Sequence, residues 1–182
     1  MKKITTIIMT AVLALGVFAG CSNGSTDKET PENTKNVTLE EIHTAVKDTY
    51  GENYLPNMEI PAEMLEAEFG LTEDLYAEVI AEQPMIGTHA DRVVLVKAAE
   101  GKADAVEEAL NTAKENKIAD TMQYPMNLPK IAATKVVRHG DVVAFLLVGA
   151  INENMDATEE EAKTFAEAEV EKAVEAINNL FK

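Results

Sequence analysis

The sequence predicts an α+β fold: a small, mostly antiparallel three-stranded sheet packed by helices, including a long C-terminal helix, after a signal peptide and a flexible tether. Three observations predict it. Apolar residues recur at helical spacing behind two capping boxes, one near residue 38 and one near residue 158. Two runs, Arg92–Lys97 and Val142–Val148, are β-branched and apolar in the manner of strands. A polar stretch rich in Ser, Thr and Asn separates all of this from an apolar N-terminal segment.

At the N-terminus Lys2 and Lys3 precede an apolar run from Ile4 to Ala19. A basic n-region before a short apolar core is the pattern of a secretory signal. The run falls short of the ~20 apolar residues that span a bilayer, so no membrane helix is expected in the mature chain. Phe18-Ala19-Gly20-Cys21 resembles a lipobox, in which two small residues precede a cysteine that is lipidated and becomes the new N-terminus. The expected cleavage lies between Gly20 and Cys21. Cys21 is the single cysteine of the chain, which precludes an internal disulfide. Residues 1–20 are therefore expected to be the signal peptide. Residues 21–36 are expected to be lipidated cysteine and tether, and 37–182 a single α+β domain. Two acyl chains anchor durably, since each buried methylene contributes about 0.8 kcal/mol. About 15 tether residues reach roughly 20 Å. The expected location is the extracytoplasmic face of a cell membrane.

The folded part is expected to begin with Thr38, the cap of a helix whose stripe is Leu39, Ile42, Val46 and Tyr50, stopped by Gly51. Pro61 opens a short helix with Met64, Leu65 and Phe69 inward and Gly70 as its left-handed stop. A third helix is expected from Thr72, with Glu73 and Asp74 at its positive end and Leu75, Tyr76, Val79 and Ile80 inward. Arg92–Lys97 reads as a strand, and Ala103, Val106, Leu110 and Ala113 as the face of another helix. Ile118–Pro129 carries two prolines and reads as an irregular connection. Lys130–Val137 and Asp141–Gly149 read as strands joined at His139-Gly140. The strand–helix–strand order suggests that the first strand runs parallel to one strand of this hairpin. Thr158 and Glu161 then box the start of a helix running to the C-terminus along Phe165, Ala166, Val170, Ala173, Val174 and Ile177.

The lipobox at Cys21, the stretch Pro84-Met85-Ile86 leading to Ala90-Asp91, Tyr124-Pro125, and Gly140-Asp141-Val142-Val143 together resemble a bacterial family called domain of unknown function 4358. The resemblance spans roughly Val37 to Ala150 and implies a small lipoprotein. It implies no activity for any residue. Where that family often places an aromatic residue in the last strand, this chain has Val143, with Phe145 further along.

The chain has 182 residues, with 16 Lys and Arg against 32 Asp and Glu, a formal charge of -16. Loss of Lys2 and Lys3 leaves 14 basic residues against 32 acidic ones, or -18. That sign repels phosphate backbones, so nucleic acid is not an expected partner, and it keeps the domain off anionic headgroups. No cofactor and no metal are implied. His43, His89 and His139 match no ligand spacing, and no calcium loop, phosphate loop or nucleophile elbow occurs. Asn152-Glu153-Asn154 and Asp156 read as an ordinary loop. His89 and Asp91, two apart at a strand start, are candidate contacts for a ligand or partner, as are Tyr124 and Pro125. Met85, Met122 and Met126 beside Tyr124 are expected to pack as core beneath a loop, with an adaptable contact surface as the alternative. The expected function is a membrane-anchored, non-enzymatic binding or accessory module acting on an envelope protein or small ligand. The alternative is an envelope enzyme with a site dispersed in sequence.

Overall fold

The computed structural model describes residues 36–182. The expected signal peptide, Cys21 and all but the last residue of the expected tether lie outside them. The elements run α1 (Leu39–Tyr50), β1 (Met58–Glu59), α2 (Ala62–Phe69), β2 (Tyr76–Gln83), β3 (Arg92–Ala98) and α3 (Ala103–Ala119), then α4 (Leu128–Ala132), β4 (Lys135–His139), β5 (Val142–Leu147) and α5 (Glu159–Leu180). The α+β class holds. The sheet, however, has five strands in the order β1-β2-β3-β5-β4, where three were expected.

All neighbouring strands pair antiparallel. The chain after β3 does return β4 in the same direction, but β5 lies between them, so the expected parallel pairing does not form. β5 is buried at every position, as its unbroken apolar run predicts for a strand covered on both faces. Alternate residues feed two cores. Val93, Leu95, Ala144 and Leu146 pack under α1 and α5. Val94, Val96, Val143 and Phe145 pack under α2 and α3. Helices thus cover both faces of the sheet.

Both capping boxes form. Thr38 accepts from the Glu41 main-chain N–H and Thr158 from that of Glu161, and each glutamate returns to the cap's own N–H. Gly70 ends α2 at φ 67°, the left-handed stop its sequence position predicts.

The largest correction is at Thr72–Gln83, expected as a helix and found as a turn followed by β2. Thr72 Oγ1 donates to Asp74 Oδ1 at 2.6 Å, tying the cap-like residues into that turn. Beyond it Val79 and Ala81 face one core and Ile80 the other, the period of a strand. Pairing with both β1 and β3 outweighs helical propensity here. β1, only two residues long, was not expected at all.

The span 118–129 is also more ordered than expected: it holds the end of α3, a 3-10 turn at Pro125–Asn127 and the start of α4. Pro129 sits in the first turn of α4, where no main-chain N–H is needed. Lys130, expected to open a strand, is helical, and β4 starts at Lys135. Among the described residues no helix is long and apolar enough to cross a membrane.

Candidate functional site

Because β3 and β5 run antiparallel, the start of one and the end of the other, Arg92 and Leu147, lie side by side at one end of the sheet. The end of α2, the second half of α3, the β2–β3 loop and the segment 120–127 surround that end on the α2/α3 face. Between them opens a cleft of about 610 Å³.

Its floor is charged. Glu68, next to last in α2, offers Oε1 to Arg92 Nε at 3.2 Å and also to the ammonium of Lys117. The remaining walls are Ala90, Ala113, Ile131 and Leu147, and Asn116 and Gln123 add amides. Burial pulls the Lys117 pKa below its ordinary value, and the Arg92 charge acts in the same direction against the opposing pull of Glu68.

The rim and the loops beside it carry exposed apolar side chains, of which Met122 and Tyr124 line the cleft. Met122 is 88% exposed, Met126 67%, Met85 72% and Tyr124 55%. The expected packing of these residues as core is therefore overturned. Two asparagine side chains hold the loops: Met85 donates its N–H to Asn57 Oδ1 at 3.0 Å, and Asn127 Nδ2 donates to the Thr88 carbonyl at 2.9 Å. These bonds pin the two loops by polar groups and leave their apolar side chains free. Asp120 Oδ1 accepts from the Met122 N–H and Oδ2 from Gln123 Nε2, which shapes the turn carrying Met122 and holds the Asp120 carboxyl below the usual range.

Of the residues singled out by sequence, His89 and Tyr124 both line this cleft. Pro125 opens the adjoining 3-10 turn and is exposed, without lining it. Asp91 does not join His89. It is 1% exposed and paired with Lys130, whose Nζ stands 2.9 Å from Oδ1 and 3.1 Å from Oδ2 and donates to the Gly149 carbonyl at 2.8 Å. Burial lifts the Asp91 carboxyl above the usual range even so. Its role is to bind the β3 start to α4 and the end of β5.

Glu68, Arg92 and Lys117 were not singled out by sequence reasoning. They come from three elements, and no spacing along the chain connects them. The other two histidines lie elsewhere: His43 Nε2 is 3.0 Å from Glu82, and His139 stacks on Phe181 with ring centroids 4.2 Å apart. Asn152 and Asn154 accept from main-chain N–H groups two residues on, as in ordinary turns. Among the described residues no three His, Cys, Asp or Glu side chains gather as a metal site.

The class so defined is a small α+β domain with helices on both faces of an antiparallel sheet and an open cleft at one sheet end, charged within and apolar at its lip. A family model described as Domain of unknown function (DUF4358) matches residues 49–148, more than half of the chain. The chain belongs to that family. The match contains all five strands and the whole cleft, and leaves out α5 and most of α1. No curated protein and no solved structure matches the chain.

Proposed function

We propose that this protein is a membrane-anchored extracytoplasmic lipoprotein whose domain is a non-enzymatic binding module working through the cleft. The observation that carries the binding half is the cleft itself. Its lip holds methionine and tyrosine side chains in solvent where their apolar surface has no partner within the described chain. Flexible thioethers around a pocket suit the capture of an apolar group. The anchoring half is supported by the position of Cys21, the sole cysteine, directly after a small-residue pair that ends an apolar run.

The test is thermal unfolding of the full chain in nanodiscs against metals, peptides, glycans and small organic acids, beside Asn116→Trp. Asn116 is an exposed position of α3 on the cleft wall, so the indole fills the cleft without entering the core. A ligand at 100 times its dissociation constant is expected to stabilise the wild type by about 2.7 kcal/mol and the variant far less. An equal shift in both, or no shift with any compound, refutes binding at this cleft.

A further inference from the structure

The floor of the cleft carries more donors than its own carboxylate uses. Glu68 Oε1 serves both Arg92 Nε and Lys117, and Arg92 Nη1 donates to the Asp91 carbonyl at 2.8 Å. Among the described residues Arg92 Nη2 has no acceptor, and the Lys117 ammonium, beyond its bond to Glu68, lies 5.2 Å from the centroid of the Phe69 ring. The three side chains are only 17–22% exposed, and an anion entering the cleft would be held by charge-assisted bonds.

The same charges set a limit. The carboxylates of Glu68 and Asp120 balance the cations Arg92 and Lys117 around the cleft. A monoanion then leaves one excess negative charge, whereas a phosphate dianion leaves two and faces both carboxylates. Beyond the floor the lining is mixed: His89, Asn116 and Gln123 are polar, and the exposed apolar surface is that of Met122 and Tyr124 at the lip.

Resting on the binding reading above, we propose that the ligand is a monocarboxylate bearing an apolar group. The carboxylate accepts from Arg92 and Lys117 on the floor, and the apolar part lies against Met122 and Tyr124. A free aliphatic acid and the C-terminus of an apolar peptide share this chemistry. Glu68 competes with the ligand for the same two cations and keeps them paired when the cleft is empty.

The experiment is calorimetric titration of the full chain in phosphatidylcholine nanodiscs, with empty discs subtracted. The probes are octanoate and octanamide, acetyl-Ala-Leu as free acid and as amide, and inorganic phosphate. At least one acid is expected to bind about tenfold or more tighter than its own amide, since the amide cannot accept charge-assisted bonds in the same way. Which pair shows the gap identifies the source. Glu68→Gln keeps the shape but withdraws the competing charge, so it is expected to tighten acid binding severalfold and leave the amide unchanged. A purely structural Glu68 would move neither. Acid and amide binding equally overturns the carboxylate assignment while leaving the cleft a binding site. Phosphate binding as tightly as the acids overturns the monoanion limit. No acid bound by either the wild type or Glu68→Gln overturns the proposal outright, and the Asn116→Trp comparison then decides the binding reading separately.

Discussion

Lys130 and Asp91, 39 residues apart in the chain, form a buried ion pair in which the ammonium reaches both carboxylate oxygens and the Gly149 carbonyl. One side chain of α4 thereby ties the start of β3 to the end of β5, the same sheet end that frames the cleft. Removing one partner strands the other in low dielectric, whereas replacing both with apolar residues removes the desolvation cost. Asp91→Leu is expected to lower stability by about 3 kcal/mol, and Asp91→Leu with Lys130→Met to recover at least half of that. Urea unfolding midpoints of the two variants decide it. A double variant no more stable than the single one would show that the pair is a net stabiliser.

Phe69 of α2 and Phe145 of β5 meet edge to face, their centroids 5.2 Å apart and their planes at 79°. Both are essentially inaccessible. Phe145→Ala removes a ring from the α2/α3 core, at an expected cost of about 3–5 kcal/mol. The measurement is the free energy of unfolding; a loss below about 1 kcal/mol would mean that this layer is loosely packed.

Gly149, just after β5, has φ 150°, and a Cβ there would sit 2.7 Å from Glu169 Cβ on α5. Gly149→Ala forces the strand end and α5 apart, with an expected cost of about 1–3 kcal/mol. It should also weaken the Lys130 bond to the Gly149 carbonyl. Thermal unfolding checks the first and the Lys130 resonance the second.

Glu161 accepts from the Thr158 N–H and hydroxyl at 2.8 and 2.9 Å, and the main-chain bond above all holds its carboxyl below the usual range. A carboxyl with a depressed folded value contributes stability above its unfolded value, about 4.3, and loses it as pH falls through the folded one. Amide exchange at Thr158 is therefore expected to quicken below that range, and to be fast at every pH in Glu161→Ala. Exchange independent of pH, after correction for intrinsic rates, would contradict the box as the cause.

If Cys21 carries the anchor, Cys21→Ser leaves the protein unlabelled by a palmitate analogue and either uncleaved or released from membranes. Fractionation and metabolic labelling read this out. Unchanged labelling rules out the lipid anchor.

Much of the fold was legible because the relevant signals are local. The boxes at Thr38 and Thr158 need only residues three apart, Gly70 stops a helix by its own backbone freedom, and the run Val142–Val148 can be satisfied only by burial on both faces. β2 was hidden because Leu75, Tyr76, Val79 and Ile80 fit a helical stripe as well as a strand. The choice falls to partners distant in sequence, such as Leu95 opposite Ile80 and Glu59 opposite Glu82. The site was legible only in part for a related reason. Tyr124 and His89 stand out beside a proline and a strand start, whereas Glu68, Arg92 and Lys117 are ordinary surface residues until the fold gathers them.

The C-terminal position of α5 has a consequence for how the protein comes into being. One face of the sheet is covered jointly by α1 and by Ala166, Val170, Ala173 and Ile177 of α5. Until the last 22-residue helix has left the ribosome, Val93, Leu95, Ala144 and Leu146 have only α1 to shelter them. The nascent chain therefore cannot close this face of the sheet until α5 has been made. Protease sensitivity of chains stalled before Glu159 would register the delay.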